Sequence, residues 1–306
     1  MPYRLLFRPR RFAVNAVAPH LAAQEPTDDS AAFLAAARDF VAGGLPRGSI
    51  SLLMTGDEEG PAINGTRKVL EWMEAHGNLP DHCIVGEPTS ADVLGDTLKI
   101  GRRGSISFAV SVAGRQGHAA YPHKADNPIP KIARFIDRIS HAELDEGAEH
   151  FDRSTLSVTT VDVGNPAGNV IPARAVTKFN IRFSPAHDFD SLRAWVGAHV
   201  GAVRTELGGE WTVDVTEGAE SFITAPGPFV ELVASAVEHA TGVRPSLSTS
   251  GGTSDARFIK DYAPVVEFGP TNATIHMTNE RISIAELRAT QAAYAAILSA
   301  YFNERE

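Results

Sequence analysis

The chain has 306 residues, of which 43% are hydrophobic and 21% charged, and this composition is typical of a globular protein of roughly two domains. No segment approaches the roughly 20 consecutive apolar residues of a membrane-spanning helix, so the sequence excludes an integral membrane protein. The formal charge of −9 argues against nucleic acid as a partner, and a single cysteine, Cys83, fits a cytoplasmic protein in which it is a small buried hydrophobic residue.

Residues 1–28 differ from the rest of the chain. Several arginines precede the first acidic residue, Glu25, and the apolar residues follow no clear period. An arginine-rich, acid-poor start is found in organelle targeting peptides, but an atypical leader, poorly ordered or non-native, is the simpler interpretation. We therefore expect the folded part of the chain to begin near residue 29.

From residue 29 onward, helix and strand signals alternate. Helix-forming segments over 30–41 and 64–76 are each followed by a short apolar run, over 49–55 and 82–85. Apolar runs of this length are typical of strands buried on both faces. The alternation predicts an α/β layer with a largely parallel sheet.

The pattern changes near Gly104. From Ile106 to Val112 every second residue is apolar, which is the period of a half-exposed strand. Further strand and helix signals of the same region lie at 128–139, 155–163, 176–183, 189–203 and 211–215. Four strands and two helices predict an α+β domain inserted over 105–216, between the two parts of a discontinuous α/β domain at 29–104 and 217–306.

The α/β pattern then returns. The sequence predicts a helix over 229–240, a strand over 265–268 and a last helix over 284–302. The last helix begins with a capping box in which Ser283 is paired with Glu286.

Carboxylates and a histidine follow the buried strands. Asp57, Glu58 and Glu59 come directly after the strand at 49–55, Glu87 follows the next strand, and His276 comes after the strand at 265–268. Catalytic groups of open α/β sheets gather at the carboxyl edge of the strands. Carboxylates and an imidazole that converge there predict a site for zinc or a similar ion.

Several strings identify a known family. They are TGDEEG at 55–60, VGEPT at 85–89, KIGRRGS at 99–105, QGHAAYPH at 116–123, SGGTSDARF at 250–258 and NATIH at 272–276. Through them the chain, from about residue 30 to its end, resembles the co-catalytic zinc aminoacylase and carboxypeptidase family and, within it, the desuccinylase branch.

The resemblance implies a fold and an activity. The fold is a zinc-hydrolase-like α/β catalytic domain with an inserted dimerisation, or lid, domain through which the protein forms a homodimer. The activity is hydrolysis of a small dicarboxylate amide, N-succinyl-LL-2,6-diaminopimelate, to succinate and LL-2,6-diaminopimelate in lysine biosynthesis. The cofactor is a pair of zinc ions per subunit, with cobalt as an alternative.

The resemblance also implies roles for individual residues. Glu58 matches the general base that activates a metal-bound water, and His118 matches the histidine that stabilises the oxyanion across a dimer interface. For the metals, the matching residues are Glu59 and His276 at one zinc and Glu87 at the other. The substrate-binding positions are Lys99, Arg102, Ser105, Tyr121, Asn169, Gly252, Thr253 and Asn272.

The sequence also departs from the family. Family members carry a His-x-Asp segment after one strand and an Asp-Met-Lys string before the helix that leads to the Glu-Glu motif, whereas here residues 24–29, QEPTDD, precede that helix. A catalytic zinc usually has three protein ligands. We therefore expect an incomplete metal site in a catalytic domain that lacks N-terminal strands.

Three interpretations follow from the motifs and the departure together. The chain is a desuccinylase with impaired activity, or an acetylornithine deacetylase-like hydrolase of the same family. In the third interpretation it is a catalytically inactive dimerising homologue or a truncated gene product, whose residues 1–28 are not native sequence.

Overall fold

The structure is a computed structural model and describes residues 10–17, 28–44, 48–56, 62–275 and 277–303. The chain divides into two compact units. Unit 1 comprises Met1–Arg102 and Phe222–Glu306, and unit 2 comprises Arg103–Ser221.

The described residues form fourteen strands and seven α-helices. The strands are β1 Arg10–Val17, β2 Gly48–Thr55, β3 His82–Gly86, β4 Thr97–Lys99, β5 Gly101–Arg102, β6 Gly104–Ala113, β7 Gly117–His118, β8 Thr155–Asp162, β9 Val170–Ile171, β10 Arg174–Phe183, β11 Glu210–Ala219, β12 Phe222–Ile223, β13 Ser246–Ser248 and β14 Val265–Phe268. The helices are α1 Asp28–Ala42, α2 Thr66–Ala75, α3 Pro128–Ser140, α4 Phe189–Leu207, α5 Pro228–Thr241, α6 Ala256–Ile259 and α7 Ile284–Asn303.

Unit 1 is built on a six-stranded sheet in the order β13-β4-β14-β3-β1-β2. All of its strand pairs are parallel except β14 with β4. Successive residues of a strand point to opposite faces, so Phe12 and Val14 join the core formed with α1, α5 and α7, whereas Ala13 joins a second core formed with α2 and α6. Helices therefore cover both faces, and the predicted α/β layer is confirmed.

The prediction that residues 1–28 form a leader outside the folded domain is wrong for β1. This strand pairs in parallel with β2 on one side and with β3 on the other, and Phe12, Ala13 and Val14 are fully buried. Part of the segment predicted to be a leader therefore supplies an inner strand of the sheet. The sequence did not predict β1 because the apolar stretch that follows the arginines is short.

Unit 2 is an α+β structure, as predicted. Its four strands form an antiparallel sheet in the order β11-β6-β10-β8, and α3 and α4 pack on one face around Phe108, Phe135 and Phe179. Helix α3 begins at an N-cap, Asn127, whose side chain accepts a hydrogen bond from the Ile129 N–H. A separate short ribbon pairs β7 with β9.

The predicted capping box of α7 forms only in part. The Ser283 hydroxyl accepts a hydrogen bond from the Glu286 N–H at 3.1 Å. The Glu286 carboxylate instead accepts a bond from the Thr271 N–H at 2.7 Å. Glu286 therefore holds the loop that follows β14 against the start of α7, a tertiary role that its position in the sequence does not reveal.

Cys83 is a buried core residue, as its sequence context predicts. Burial raises the pKa of the Cys83 thiol to about 12, so this residue is a neutral core side chain. Among the described helices, none has both the length and the apolar character needed to cross a membrane.

The position of β1 predicts the effect of a core substitution. Phe12 is 1% exposed and its ring centroid lies 4.7 Å from that of Tyr301. We expect Phe12→Ala to lower the free energy of unfolding by about 3–5 kcal/mol in urea denaturation, because truncation of a buried Phe leaves a cavity. Met54→Ala on the neighbouring strand is the control, since Met54 is 49% exposed. Equal, small effects of the two substitutions would show that residues 10–17 lie outside the core.

Candidate active site

The parallel strands of unit 1 bring two predicted site segments to one edge of the sheet. Glu87 follows β3, and Asn272 follows β14, the adjacent parallel strand. The two loops are joined by hydrogen bonds: the Ser90 hydroxyl donates to the Gly269 carbonyl at 2.8 Å, and the Asn272 N–H donates to the Ser90 carbonyl at 3.0 Å. The loop that carries Glu87 and the segment that leads to His276 are thus one connected structure.

Only part of the predicted metal site falls within the described residues. Glu87 lies at the carboxyl end of β3 and is partly buried. Glu58, Glu59 and His276 lie outside the described residues. In the part of the chain that the structure describes, no group of three His, Cys, Asp or Glu side chains is arranged to hold a metal ion.

Two predicted substrate-binding cations lie together in unit 1. Lys99 and Arg102 are 8% and 9% exposed, which is unusual for these residue types. The Lys99 ammonium donates to the hydroxyls of Ser248 at 3.0 Å and Ser250 at 2.7 Å. The Arg102 Nη1 donates to the Ser250 carbonyl at 3.1 Å. Both cations therefore contact the start of the loop that contains Gly252 and Thr253.

The cluster also contains a carboxylate that none of the sequence motifs indicates. Glu267 on β14 is fully buried and forms a salt bridge with Arg102. Its Oε1 also accepts a hydrogen bond from the Ser254 hydroxyl at 2.7 Å. The sequence does contain a signal for Glu267, because this single carboxylate interrupts the apolar run Val265–Phe268. A charge in such a run requires a buried partner.

Unit 2 brings together three other predicted residues. His118 on β7 lies opposite Val170 on β9, and the Ala119 N–H donates to the Asn169 carbonyl at 2.8 Å. The Tyr121 ring centroid lies 5.8 Å from that of His118. Ser105 is separate from this group, at the beginning of β6, where its hydroxyl accepts from Asn180 at 3.2 Å.

The hydrogen bonding of His118 defines its chemistry. Its Nδ1 accepts a bond from the Ala120 N–H at 3.0 Å. In the neutral imidazole the proton therefore resides on Nε2, which is a donor. A donor in an exposed position suits the stabilisation of a developing oxyanion on a bound substrate.

A buried polar cluster lies at the carboxyl ends of β1 and β2. The Asn15 amide donates to the Thr66 hydroxyl at 2.9 Å, and the Thr55 and Thr66 hydroxyls are 2.7 Å apart. Both hydroxyls also donate to the Asp255 carboxylate, which is 2% exposed. The cluster connects β1, β2, α2 and the loop before α6 beneath the edge that carries the predicted site.

Burial raises the pKa of Asp255, although the hydrogen bonds from Thr66 and Thr55 act in the opposite direction. A group whose pKa is raised on folding stabilises the folded state most below its unfolded pKa and loses that contribution as the pH rises through the folded value. We therefore expect the free energy of unfolding of the wild type to fall, relative to Asp255→Asn, as the pH rises from below 3.8, the ordinary value, to neutrality. Urea denaturation of both proteins across this range measures the difference. A difference that is constant or has the opposite slope would contradict the assignment.

Comparison with known proteins identifies relatives of both units. Residues 100–204 match the family described as the peptidase dimerisation domain. Succinyl-diaminopimelate desuccinylase of Rhodospirillum centenum is 52% identical over 273 residues, which cover 89% of this chain and 70% of that protein. The protein of the same name from Dinoroseobacter shibae is 53% identical over 272 residues, covering 89% of this chain and 72% of that protein.

Solved structures share the fold at low sequence identity. Aminopeptidase PepT of Bacillus cereus has a TM-score of 0.78 at 19% identity, covering 97% of this chain and 82% of that chain. An M20 family metallo-carboxypeptidase of Sulfolobus solfataricus has a TM-score of 0.73 at 14% identity, covering 98% of this chain and 86% of that chain.

An α/β layer interrupted by a peptidase dimerisation domain is the fold that the chain shares with these peptidases. The high identity over most of both chains is more specific. The chain belongs to the succinyl-diaminopimelate desuccinylase family, and the resemblance predicted from its motifs is confirmed.

Proposed function

We propose that the chain is a metal-dependent amide hydrolase that binds N-succinyl-LL-2,6-diaminopimelate and whose turnover is impaired by an incomplete metal centre. The substrate assignment rests on one observation. Lys99 and Arg102 are both buried and both contact Ser250, at the start of the loop that contains Gly252 and Thr253. The names of the curated relatives support the same substrate.

The two cations suit a ligand with a terminal carboxylate. A guanidinium can hold a carboxylate through two parallel hydrogen bonds, and an ammonium adds a point charge. Such bonds are stronger in a buried site than in water. An acetyl group has no terminal carboxylate, so the two cations favour a succinylated over an acetylated substrate. The acetylornithine deacetylase-like activity is therefore the second candidate.

Other residues complete the proposed chemistry. Glu58 accepts a proton from the attacking water. The Nε2–H of His118 donates to the oxyanion that forms on the amide carbonyl, and the resemblance implies that this donor serves the other subunit of a dimer. Tyr121 and Asn169 lie beside His118 and contact the substrate. The remaining substrate contacts are Ser105, Gly252, Thr253 and Asn272.

The donor set of this chain does not fit a complete pair of zinc sites. Of the proposed metal ligands, Glu87 alone lies within the described residues. In that part of the chain no three His, Cys, Asp or Glu side chains are arranged to hold a metal ion. Glu59 and His276 extend the proposed set to three side chains. Strand β1, which ends at the same edge between β2 and β3, contains no carboxylate or imidazole. We therefore assign no catalytic step to a metal ion and propose the incomplete centre as the cause of impaired turnover.

The proposal predicts binding without efficient catalysis. Given zinc, the purified chain should hold fewer than two ions per subunit by elemental analysis, bind N-succinyl-LL-2,6-diaminopimelate by calorimetry, and show no measurable desuccinylation. Lys99→Met should weaken binding by about tenfold to a hundredfold, because a charge-assisted hydrogen bond contributes about 1.5–3 kcal/mol. Lys68→Met, at an exposed lysine of α2, is the matched control and should leave binding unchanged.

Two results would contradict different parts of this proposal. Two tightly held ions, with turnover abolished by Glu58→Gln, would show a complete metal centre. Equal affinity for N-acetylornithine and the succinylated compound would overturn the substrate assignment.

We also propose that unit 2 forms a homodimer through the edge of its sheet at β8. Both β8 and β11 are edge strands. Strand β11 carries Glu210 and Asp214, whose charges would repel the same strand of a second copy. Strand β8 is uncharged from Thr155 to Val161, and an edge without charges is a template for strand pairing.

A pair of exposed valines tests the choice of edge. Val161 on β8 is 56% exposed and Val213 on β11 is 37% exposed. We expect the wild type to sediment as a dimer at micromolar concentration and Val161→Asp to sediment as a monomer, because a charge on the pairing edge opposes association. Val213→Asp should remain a dimer. The reverse outcome for the two variants would place the interface at β11, and a monomeric wild type would overturn the dimer itself.

A further inference from the structure

Glu267 is the carboxylate that organises the cation cluster of unit 1. It is fully buried, whereas charged residues of this type are almost never fully buried without a partner. The Arg102 Nε lies 2.9 Å from Oε1 and 3.1 Å from Oε2, and Nη2 donates to Oε2. The two side chains therefore form a bidentate pair, the geometry that fixes the plane of a guanidinium most strongly.

The backbone near Ser250 confines Arg102 further. The Nη1 donates to the Ser250 carbonyl at 3.1 Å. A Cβ atom at Gly251 would lie 2.5 Å from Nη1, and Gly251 has a φ of +102°, so only glycine permits this approach. The guanidinium is held by Glu267 along its Nε–Nη2 edge and by the loop at Nη1.

Glu267 also connects Arg102 to the loop itself. Its Oε1 accepts from the Ser254 hydroxyl at 2.7 Å, and Ser254 directly follows Gly252 and Thr253 in the chain. One carboxylate thus sets the positions of a proposed carboxylate-binding guanidinium and of a proposed substrate-binding loop.

Stability alone does not account for this pair. Replacement of a buried ion pair by apolar residues of similar volume is often neutral or stabilising, because desolvation opposes the attraction between the charges. Arg102 and Glu267 contact Ser250 and Ser254, on either side of the predicted substrate-binding residues Gly252 and Thr253. The geometry is that of a supported binding site, in which a neighbouring side chain fixes the group that contacts the ligand.

We propose that Glu267 is a positioning residue: it holds the Arg102 guanidinium in place for the terminal carboxylate of the substrate and, through Ser254, places the loop of Gly252 and Thr253 beside it. The proposal rests on the proposed function, because it assumes that Arg102 binds the succinyl carboxylate. It assigns no contact between Glu267 and the substrate.

The test measures binding of succinate to the full chain by calorimetry. Glu267→Gln keeps the size of the side chain and an acceptor for Ser254 but removes the charge that orients Arg102. We expect it to weaken succinate binding by about tenfold to a hundredfold, the effect of a misplaced binding group. The control is Asp145→Asn in unit 2, which removes a carboxylate bonded to Ser154 and Ser184 and should lower stability without changing succinate affinity.

Chemical rescue separates positioning from a purely structural role. In Arg102→Ala, added guanidinium ion should restore succinate binding, because the Glu267 carboxylate still binds and orients it. In the double variant Arg102→Ala, Glu267→Gln, the same concentration of guanidinium should restore none. This comparison also serves if Glu267→Gln alone does not fold well enough for titration.

The outcomes distinguish the two proposals. If the wild type binds no succinate, the substrate assignment fails and the positioning role with it. If the wild type binds succinate but Glu267→Gln binds it equally well or more tightly, or if guanidinium rescues both Arg102 variants alike, only the positioning role is overturned.

Discussion

The parallel pairing of β1 with β2 on one side and β3 on the other holds the sheet of unit 1 together. Among the described strands, β2 has no other neighbour in the sheet, so its position there depends on β1. This pairing places the carboxyl ends of β1, β2, β3 and β14 at one edge. Because Phe12 and Val14 face one core and Ala13 the other, the same strand also contributes to the packing of both helical layers.

Buried polar groups then fix the loops that leave this edge. The Asp255 cluster joins the ends of β1 and β2 to the loop before α6, and Glu267 joins β14 to Arg102 and Ser254. Ser90 and Glu286 connect the loops after β3 and β14 to their surroundings. Each of these groups has its partners on a different segment of the chain, so these side chains fix the loops relative to one another.

The two units differ in how far they match the family. Unit 2 has all four predicted strands, both helices and the ribbon that carries His118, and the match to the peptidase dimerisation domain covers much of it. In unit 1 the two cations proposed to bind substrate are buried and both contact Ser250. Strand β1, which lies between β3 and β2, contains no carboxylate or imidazole. Packing requires only apolar residues of suitable size, whereas a metal site requires particular side chains, so a strand can keep its place in a sheet without contributing a ligand.

The sequence by itself determined the fold class, the inserted unit and the family, because these depend on local periodicity and on contiguous strings such as KIGRRGS and SGGTSDARF. It also placed Lys99, Arg102, His118 and Glu87 as site candidates. Only the tertiary structure showed that β1 is an inner strand, that Glu286 binds Thr271 and that Glu267 holds Arg102. Strand order and the partner of a buried charge are set by contacts between residues far apart in the chain. Neither the periodicity of a sequence nor its motifs show those contacts.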